Sequence, residues 1–219
     1  MRAITSRDPR HLLGFSEMTD PSMATQPVQT AAKTAARTTY VHRIDAGLRI
    51  SFVSREWLAF AAENGYDTTP QAELGRPLFS VIADEETRHI YRLLIQRTRS
   101  SRDILAFSYR CDSPDHRRWM RMRMRYLAAS DEVEFASQLL RIEARAPMPL
   151  LAPRQQGQTS PRLLSMCGWC KAVLTEQTWV ELEQAVMQLR LFATDTMPRI
   201  SHGICPDCSK RLLSLESAS

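Results

Sequence analysis

RWMRMRMRYL, residues 118–127, alternates without a break. Met120, Met122, Met124 and Tyr126 fall on one side; Trp119, Arg121, Arg123 and Arg125 fall on the other. Successive side chains of a strand point to opposite faces, so the stretch reads as a strand with one apolar and one charged face. Turn residues bound it: Asp112-Ser113-Pro114-Asp115 before, Ser130-Asp131-Glu132 after. Residues 104–111 also alternate, with Leu105, Phe107, Tyr109 and Cys111 on one face. Residues 133–143 form a further strand whose apolar residues switch face near Ser137, which predicts a bulge or twist there.

Upstream, Asp84 is a candidate N-cap for a helix from 85 to about 99, with Ile90, Leu93, Leu94 and Thr98 inward. Residues 74–83 read as a loop with a short helical turn. Residues 55–64 read as a short helix burying Trp57, Leu58 and Ala61, with Asn64-Gly65 as its stop signal. Two strands, 40–43 and 48–53, flank an Asp45-Ala46-Gly47 turn, with Leu48, Ile50 and Phe52 on one face.

This order of elements over residues 38–145 resembles a PAS domain. The residues carrying the resemblance are Trp57-Leu58-Ala59-Phe60, Leu74-Gly75-Arg76-Pro77-Leu78-Phe79 and Arg110-Cys111-Asp112-Ser113-Pro114. It implies an α+β sensor and interaction module: a PAS-like five-stranded antiparallel sheet with helices on one face, often around a small-molecule pocket. A flavin photosensor of this kind needs a reactive cysteine in a helical Asn-Cys-Arg-type motif, whereas Cys111 lies on a predicted strand. A haem sensor needs an axial histidine on the long helix, where His89 sits. No organic cofactor is expected. Met120, Met122, Met124 and Tyr126 either line a pocket or fill the core, as methionine often does. Arg121, Arg123 and Arg125, with Trp119 beside them, place cations about 6.5–7 Å apart. That row is a solvated face, a contact for a protein partner, or a surface for a phosphate backbone.

The rest of the chain divides around this unit. Residues 1–37 are small and polar without an apolar period, and are expected to be disordered. Residues 146–162 hold Pro147, Pro149, Pro153 and Pro161 and read as a linker. Residues 163–215 form a module too small to be stable on an apolar core alone.

Cys167-Gly-Trp-Cys170 and Cys205-Pro-Asp-Cys208 bracket that module. Each CxxC pair turns two sulfurs toward one point, and two pairs supply the tetrahedron that zinc favours. Thiolate-only ligation leaves no open position, so the expected Zn²⁺ is structural. The fold expected is a small zinc-ribbon-like module with one helix. Thr178-x-x-Glu181 reads as its capping box, with Trp179, Leu182, Val186 and Leu189 on one face and Phe192 and Ile200 completing a small core. His202 is expected beside the metal rather than on it. The run Ile200-Ser201-His202-Gly203-Ile204-Cys205-Pro206-Asp207-Cys208, with Cys167-Gly-Trp-Cys170-Lys171 and Trp179-x-x-Leu182-Glu183, resembles a zinc module of bacterial signalling proteins. The resemblance implies a signalling context more than an activity.

Composition agrees with a soluble regulator. The chain has 219 residues, 43% hydrophobic and 24% charged, with a net charge of +5. No apolar run approaches the roughly 20 residues that cross a bilayer, and no secretory signal opens the chain. A cytoplasmic location follows. The five cysteines suit metal better than a disulfide framework. No Gly-rich phosphate loop, GxSxG, HExxH or kinase signature occurs. The sequence therefore points to a non-enzymatic bacterial signalling protein acting on a protein partner or as a homodimer through the PAS-like sheet. One alternative is a zinc-ribbon-type nucleic-acid-binding regulator, given the pI ≈ 9.2, the arginine row, and Trp169, Lys171, Lys210 and Arg211 near the knuckles. A second is a thiol redox sensor that releases zinc on oxidation.

Overall fold

The computed structural model describes residues 38–80, 82, 84–152, 159–192 and 197–217. The segment 1–37, expected to be disordered, lies outside the described residues, as do 153–158 of the proline-rich stretch.

The first unit contains β1 (Thr39–Ile44), β2 (Ile50–Val53), β3 (Leu105–Arg110), β4 (His116–Leu127) and β5 (Glu132–Ala144). They form one antiparallel sheet in the order β2-β1-β5-β4-β3. Helices α1 (Arg55–Glu63), α2 (Pro70–Glu73) and α3 (Glu85–Ser101) lie between β2 and β3 in the chain. Each starts where a side chain satisfies an otherwise orphan backbone N–H. Ser54 Oγ accepts from the N–H of Trp57 at 3.1 Å, Thr69 Oγ1 from Ala72 at 3.3 Å and Asp84 Oδ2 from Thr87 at 2.6 Å.

The alternation of β4 holds in three dimensions. Met120, Met122 and Met124 are buried, and Arg121, Arg123 and Arg125 are exposed. Met122 stands opposite Phe107 and Ser137, Met124 opposite Leu105 and Phe135. Ile90, Leu94 and Ile95 of α3 close this face.

Two register shifts move side chains from their expected faces. The bulge expected near Ser137 lies at Leu140: Trp119 faces Arg141 and Met120 faces Leu139, so Leu140 is the extra residue and is exposed. At the other edge Ile44 faces Ile50 while Arg43 faces Phe52, leaving Ser51 unmatched. Ile50 turns in and Phe52 turns out, although strict alternation puts both on one face. The Arg43 guanidinium covers the exposed Phe52 ring at 4.8 Å.

The second unit has strands β6 (Thr159–Cys167), β7 (Val173–Thr175), β8 (Thr178–Val180) and β9 (Met197–Gly203), ordered β8-β7-β6-β9. β6 and β9 run parallel. Helix α4 (Leu182–Gln188) is the expected one; α5 (Pro206–Ser217) adds a second. The expected capping box does not form. Thr178 and Trp179 pair with β7 instead, and Glu181 precedes α4 without a side-chain cap bond. Phe192, expected in the core, is exposed; Leu191 takes its place beside Leu182 and Ala185. Ile200 does pack there.

The proline-rich stretch is not a free linker at its start. Met148 and Leu150 are buried among Leu164, Met166, Val173 and Leu182. Met148 N–H also donates to Pro114 O at 2.7 Å. The two units, expected to be separate, share a core. Cys167, Trp169, Ile204, Cys205, Cys208 and Leu212 belong to the same apolar cluster as Leu94, Phe107 and Met122. Ions reinforce the seam: Arg110 meets Glu181 at 2.9 Å, and Glu183 meets Arg117 at 2.7 Å and Arg145 at 3.2 Å.

Asp112 is the anion this seam most needs. Its side chain is wholly buried between Arg110 at 2.5 Å and Arg145 at 3.2 Å. Removing the carboxylate leaves two guanidinium groups short of a buried counter-charge. Asp112→Ala should cost about 3–5 kcal/mol of folding stability, read as a lower urea midpoint.

Candidate metal centre and adjoining cavity

Two local turns bring the four cysteines together. Cys167 ends β6; its N–H donates to Ala172 O at 2.7 Å, and its carbonyl accepts from the N–H of Lys171 at 3.1 Å. Lys171 takes a left-handed conformation, φ 65°, to close that turn. Gly168 N–H donates to Gly203 O at 2.9 Å, tying the first knuckle to the end of β9. Cys205 and Cys208 flank the start of α5, with Pro206 in its first turn, where no N–H is needed.

The Sγ atoms of Cys167, Cys170, Cys205 and Cys208 all lie within 4.8 Å of one another. Cys170 and Cys205 are 3.6 Å apart, far beyond the S–S bond of about 2.0 Å. Four sulfurs about 2.3 Å from one tetrahedral ion stand roughly 3.8 Å apart. The cluster fits such an ion, so these four residues can bind a metal.

Their titration shows why a cation suits them. Hydrogen bonds from the thiols of Cys170 and Cys208 hold Cys167 far below the usual thiol range. The same bonds push Cys170 up to about 12 and Cys208 upward. A divalent ion lets all four ionise.

Two further donors address the sulfurs, one of them from outside the cluster. Cys208 N–H donates to Cys205 Sγ at 3.4 Å, and Arg211 Nη2 approaches Cys208 Sγ at 3.6 Å. Arg211 also donates to Ser108 O at 3.2 Å, so it joins the cluster to the edge strand β3. His202, expected in this role, is exposed, lies outside the cluster and makes no hydrogen bond to a cysteine among the described residues. The Cys208-x-x-Arg211 spacing on a helix was the signal for Arg211.

The knuckle residue Trp169 is 3% exposed. Its ring lies 5.6 Å from that of Tyr91 on α3, and its carbonyl accepts from Arg110 N–H at 2.6 Å.

Tyr91 also lines a cavity of about 490 Å³ between β1, β2 and the helices. His42, Trp57, Tyr66, Ile50, Leu78 and Ile82 contribute to the wall, with Glu73 and Arg76 at one side. Glu73 is buried, which opposes ionisation. Tyr66 at 2.5 Å and Thr68 at 2.7 Å donate to it, Arg76 stands at 3.5 Å, and together they hold it below the usual carboxylate range. Burial pushes His42 down to about 4, so it is neutral at pH 7, and its ring stacks on Phe135 at 4.6 Å. Burial pushes Tyr91 up to about 12.

Of the two readings of the methionine row, pocket lining or core filling, the structure has the second. Met120, Met122 and Met124 are buried as core filler, and Ser137 Oγ lies 3.4 Å from Met122 Sδ. Tyr126 donates to Asp131 at 3.1 Å and faces Arg102. The cavity was missed because its wall comes from five separate elements with no shared spacing.

The arginine row is divided. Arg125 pairs with Glu134 at 2.8 Å. Trp119 sits between the guanidinium groups of Arg110, 5.6 Å from its centroid, and Arg141, 4.8 Å. Arg121 and Arg123 are exposed and make no ion pair among the described residues. Of the knuckle residues read as nucleic-acid contacts, Trp169 is buried, Lys171 donates to Gly168 O at 2.9 Å and Arg211 faces Cys208. Lys210 is exposed.

No family model matches the chain, and no curated protein matches it. Solved structures do. The photoactive yellow protein domain of the sensor histidine kinase Ppr from Rhodospirillum centenum is 15% identical, with a TM-score of 0.35. That match covers 49% of this chain and 96% of the other. A sensory box sensor histidine kinase from Vibrio cholerae is 8% identical over 56% of this chain and 97% of its own, with a TM-score of 0.38. The PAS domain of an HTR-like protein from Haloarcula marismortui is 14% identical over 52% and 96%, with a TM-score of 0.27. The first unit has a PAS-like fold. Its own sheet order, β2-β1-β5-β4-β3 with all connecting helices between β2 and β3, is what defines it. No described helix is long and apolar enough to cross a membrane.

Arg211 supports the cluster from outside, where such partners change metal affinity about 10–100-fold. Arg211→Ala should weaken cobalt(II) binding about tenfold, followed by its thiolate absorption bands, while Lys210→Ala should leave it unchanged.

Proposed function

We propose that this chain is a non-enzymatic bacterial signalling protein of the cytoplasm. Its PAS-like unit receives the input. The four cysteines hold a structural zinc ion, and the zinc-held unit passes the state of the PAS-like core to a protein partner or a second copy. One observation carries the reading: Trp169, set between Gly168 and Cys170 in the first knuckle, is buried against Tyr91 of the PAS-like core. The metal-bearing turn is therefore part of the sensory unit's own packing. An all-thiolate set supports a structural metal because it leaves no position open for substrate.

Purified protein should contain one zinc per chain by elemental mass spectrometry. Cys170→Ser should lose it, and chelation should lower the thermal midpoint of the whole chain in one transition. Zinc-free protein of unchanged stability would overturn the reading.

A second reading rests on Arg121 and Arg123, which are exposed and free of ion pairs among the described residues. They suit an acidic surface, a nucleic-acid backbone included. A nucleic-acid contact here predicts binding that falls steeply between 50 and 200 mM salt, by about one power of salt per phosphate neutralised. Arg121→Glu with Arg123→Glu should then abolish it. Absent or salt-insensitive binding to DNA and RNA leaves the protein partner as the use of this face.

A further inference from the structure

The four clustered cysteines are not equally shielded. Cys167, Cys205 and Cys208 are buried, whereas Cys170 is half-buried. Cys170 is also the one of the four that lines a cleft of about 530 Å³ along the seam. Arg110, Arg117 and Trp119 of β3 and β4 form one wall of this cleft, and Glu183 and Met187 of α4 form the other. Met187 is 72% exposed, so the cleft opens to solvent beside α4. A small reagent entering from solvent by this route meets the cluster at Cys170.

A second sulfur stands ready behind it. Cys205 Sγ lies 3.6 Å from Cys170 Sγ, although the two residues belong to different knuckles and are 35 positions apart. A disulfide needs about 2.0 Å between sulfurs, so this pair has about 1.6 Å to close. The remaining cysteine, Cys111, is half-buried as well, but the cavity of about 310 Å³ that it lines holds no other cysteine. An exposed sulfur with a neighbouring thiol is the arrangement that oxidants convert reversibly to a disulfide.

We propose that Cys170 is a site of oxidation by hydroperoxides, and that the product is a Cys170–Cys205 disulfide joining the two knuckles. Cys170 Sγ attacks the outer oxygen of the hydroperoxide, and the O–O bond breaks. The departing oxygen takes a proton from solvent and leaves as an alcohol, or as water from hydrogen peroxide. Cys170 is then a sulfenic acid. Cys205 Sγ attacks that sulfur, the S–S bond forms, the S–O bond breaks, and the oxygen leaves with a second solvent proton as water. Two thiolates have lost two electrons, and the hydroperoxide has gained them. One consequence rests on the zinc reading above: a bound ion loses two of its four ligands and is released. The reaction takes place next to Trp169, in the turn that packs against Tyr91 at 5.6 Å, so it alters the contact between the two units.

The test uses the full chain, with hydrogen peroxide as the probe. Brief exposure in the presence of dimedone, which traps sulfenic acids, should label Cys170 ahead of the other four cysteines. Without dimedone, peptide mapping should find a Cys170–Cys205 disulfide, and each disulfide should release one zinc ion to a chromophoric chelator. Dithiothreitol with added zinc should restore the starting state. Cys111→Ser, outside the cluster, should change none of these results. First labelling of any other cysteine overturns Cys170 as the point of attack. A disulfide within one knuckle, Cys167–Cys170 or Cys205–Cys208, overturns the cross-knuckle product. A cluster that stays reduced while Met187 is oxidised overturns the whole proposal. A chain that forms the Cys170–Cys205 disulfide but carries no zinc overturns the zinc reading and leaves the oxidation site standing.

Discussion

Burial of Trp169 between the two units is the contact on which the rest of the structure depends. A tryptophan buries some 150–250 Å² of mostly apolar surface. Here it does so from inside a four-residue turn whose ends are cysteines. The turn cannot rearrange without moving the indole, and the indole cannot move without opening the space beside Tyr91 and Phe107. Around this plug the remaining seam contacts fall into place: Leu212 and Ile204 beside it, Arg110 N–H on its carbonyl, and the Asp112 ion cluster at the rim. The seam is therefore a core continued from one unit to the next. That explains how a unit with eight buried residues in its own cluster, among the described residues, is held in place.

The local patterns were legible in the sequence for a physical reason. Alternation over 118–127 and the CxxC spacings are short-range constraints, and backbone geometry alone turns them into faces and knuckles. Asp84 as a cap and α3 as an amphipathic helix are constraints of the same kind. The fold of the first unit followed from the order of such elements. What could not be read was which pattern wins when two compete. Thr178 and Glu181 fit a capping box, yet β7 offers Thr178 and Trp179 a strand partner, and ladder hydrogen bonds override a local cap. Leu140 and Ser51 are single extra residues, visible only once both strands of a pair are in register.

The candidate site shows the same division. The cluster of four cysteines that can bind a metal was legible because each pair is local and only their meeting is long-range. Arg211 was visible as a charge near the knuckle, but its target was not. The cavity was illegible because His42, Trp57, Glu73 and Tyr91 come from four elements and share no period. The methionine row left two readings open for a related reason. Its face was read correctly, but a face of a sheet can meet either a packed helix or a void. Leu94 and Ile95 of α3 and the knuckle of the second unit decide that it meets packed atoms.

The position of the cysteines carries a consequence for how the proposed metal acts. A metal that only stabilises its own small unit can sit anywhere within it. In this chain Cys167, Cys205 and Cys208 are part of the cluster that contains Leu94 and Phe107, while Met148, Leu150 and Leu164 form a separate cluster on the far side of β6. Loss of a metal would therefore loosen the PAS-like core before it loosened the second unit's own. The free energy of binding such a metal would then act where helix α3 packs, and Arg211 extends the cluster to β3 through Ser108. A metal placed at that seam is suited to setting how readily the PAS-like core yields to an input.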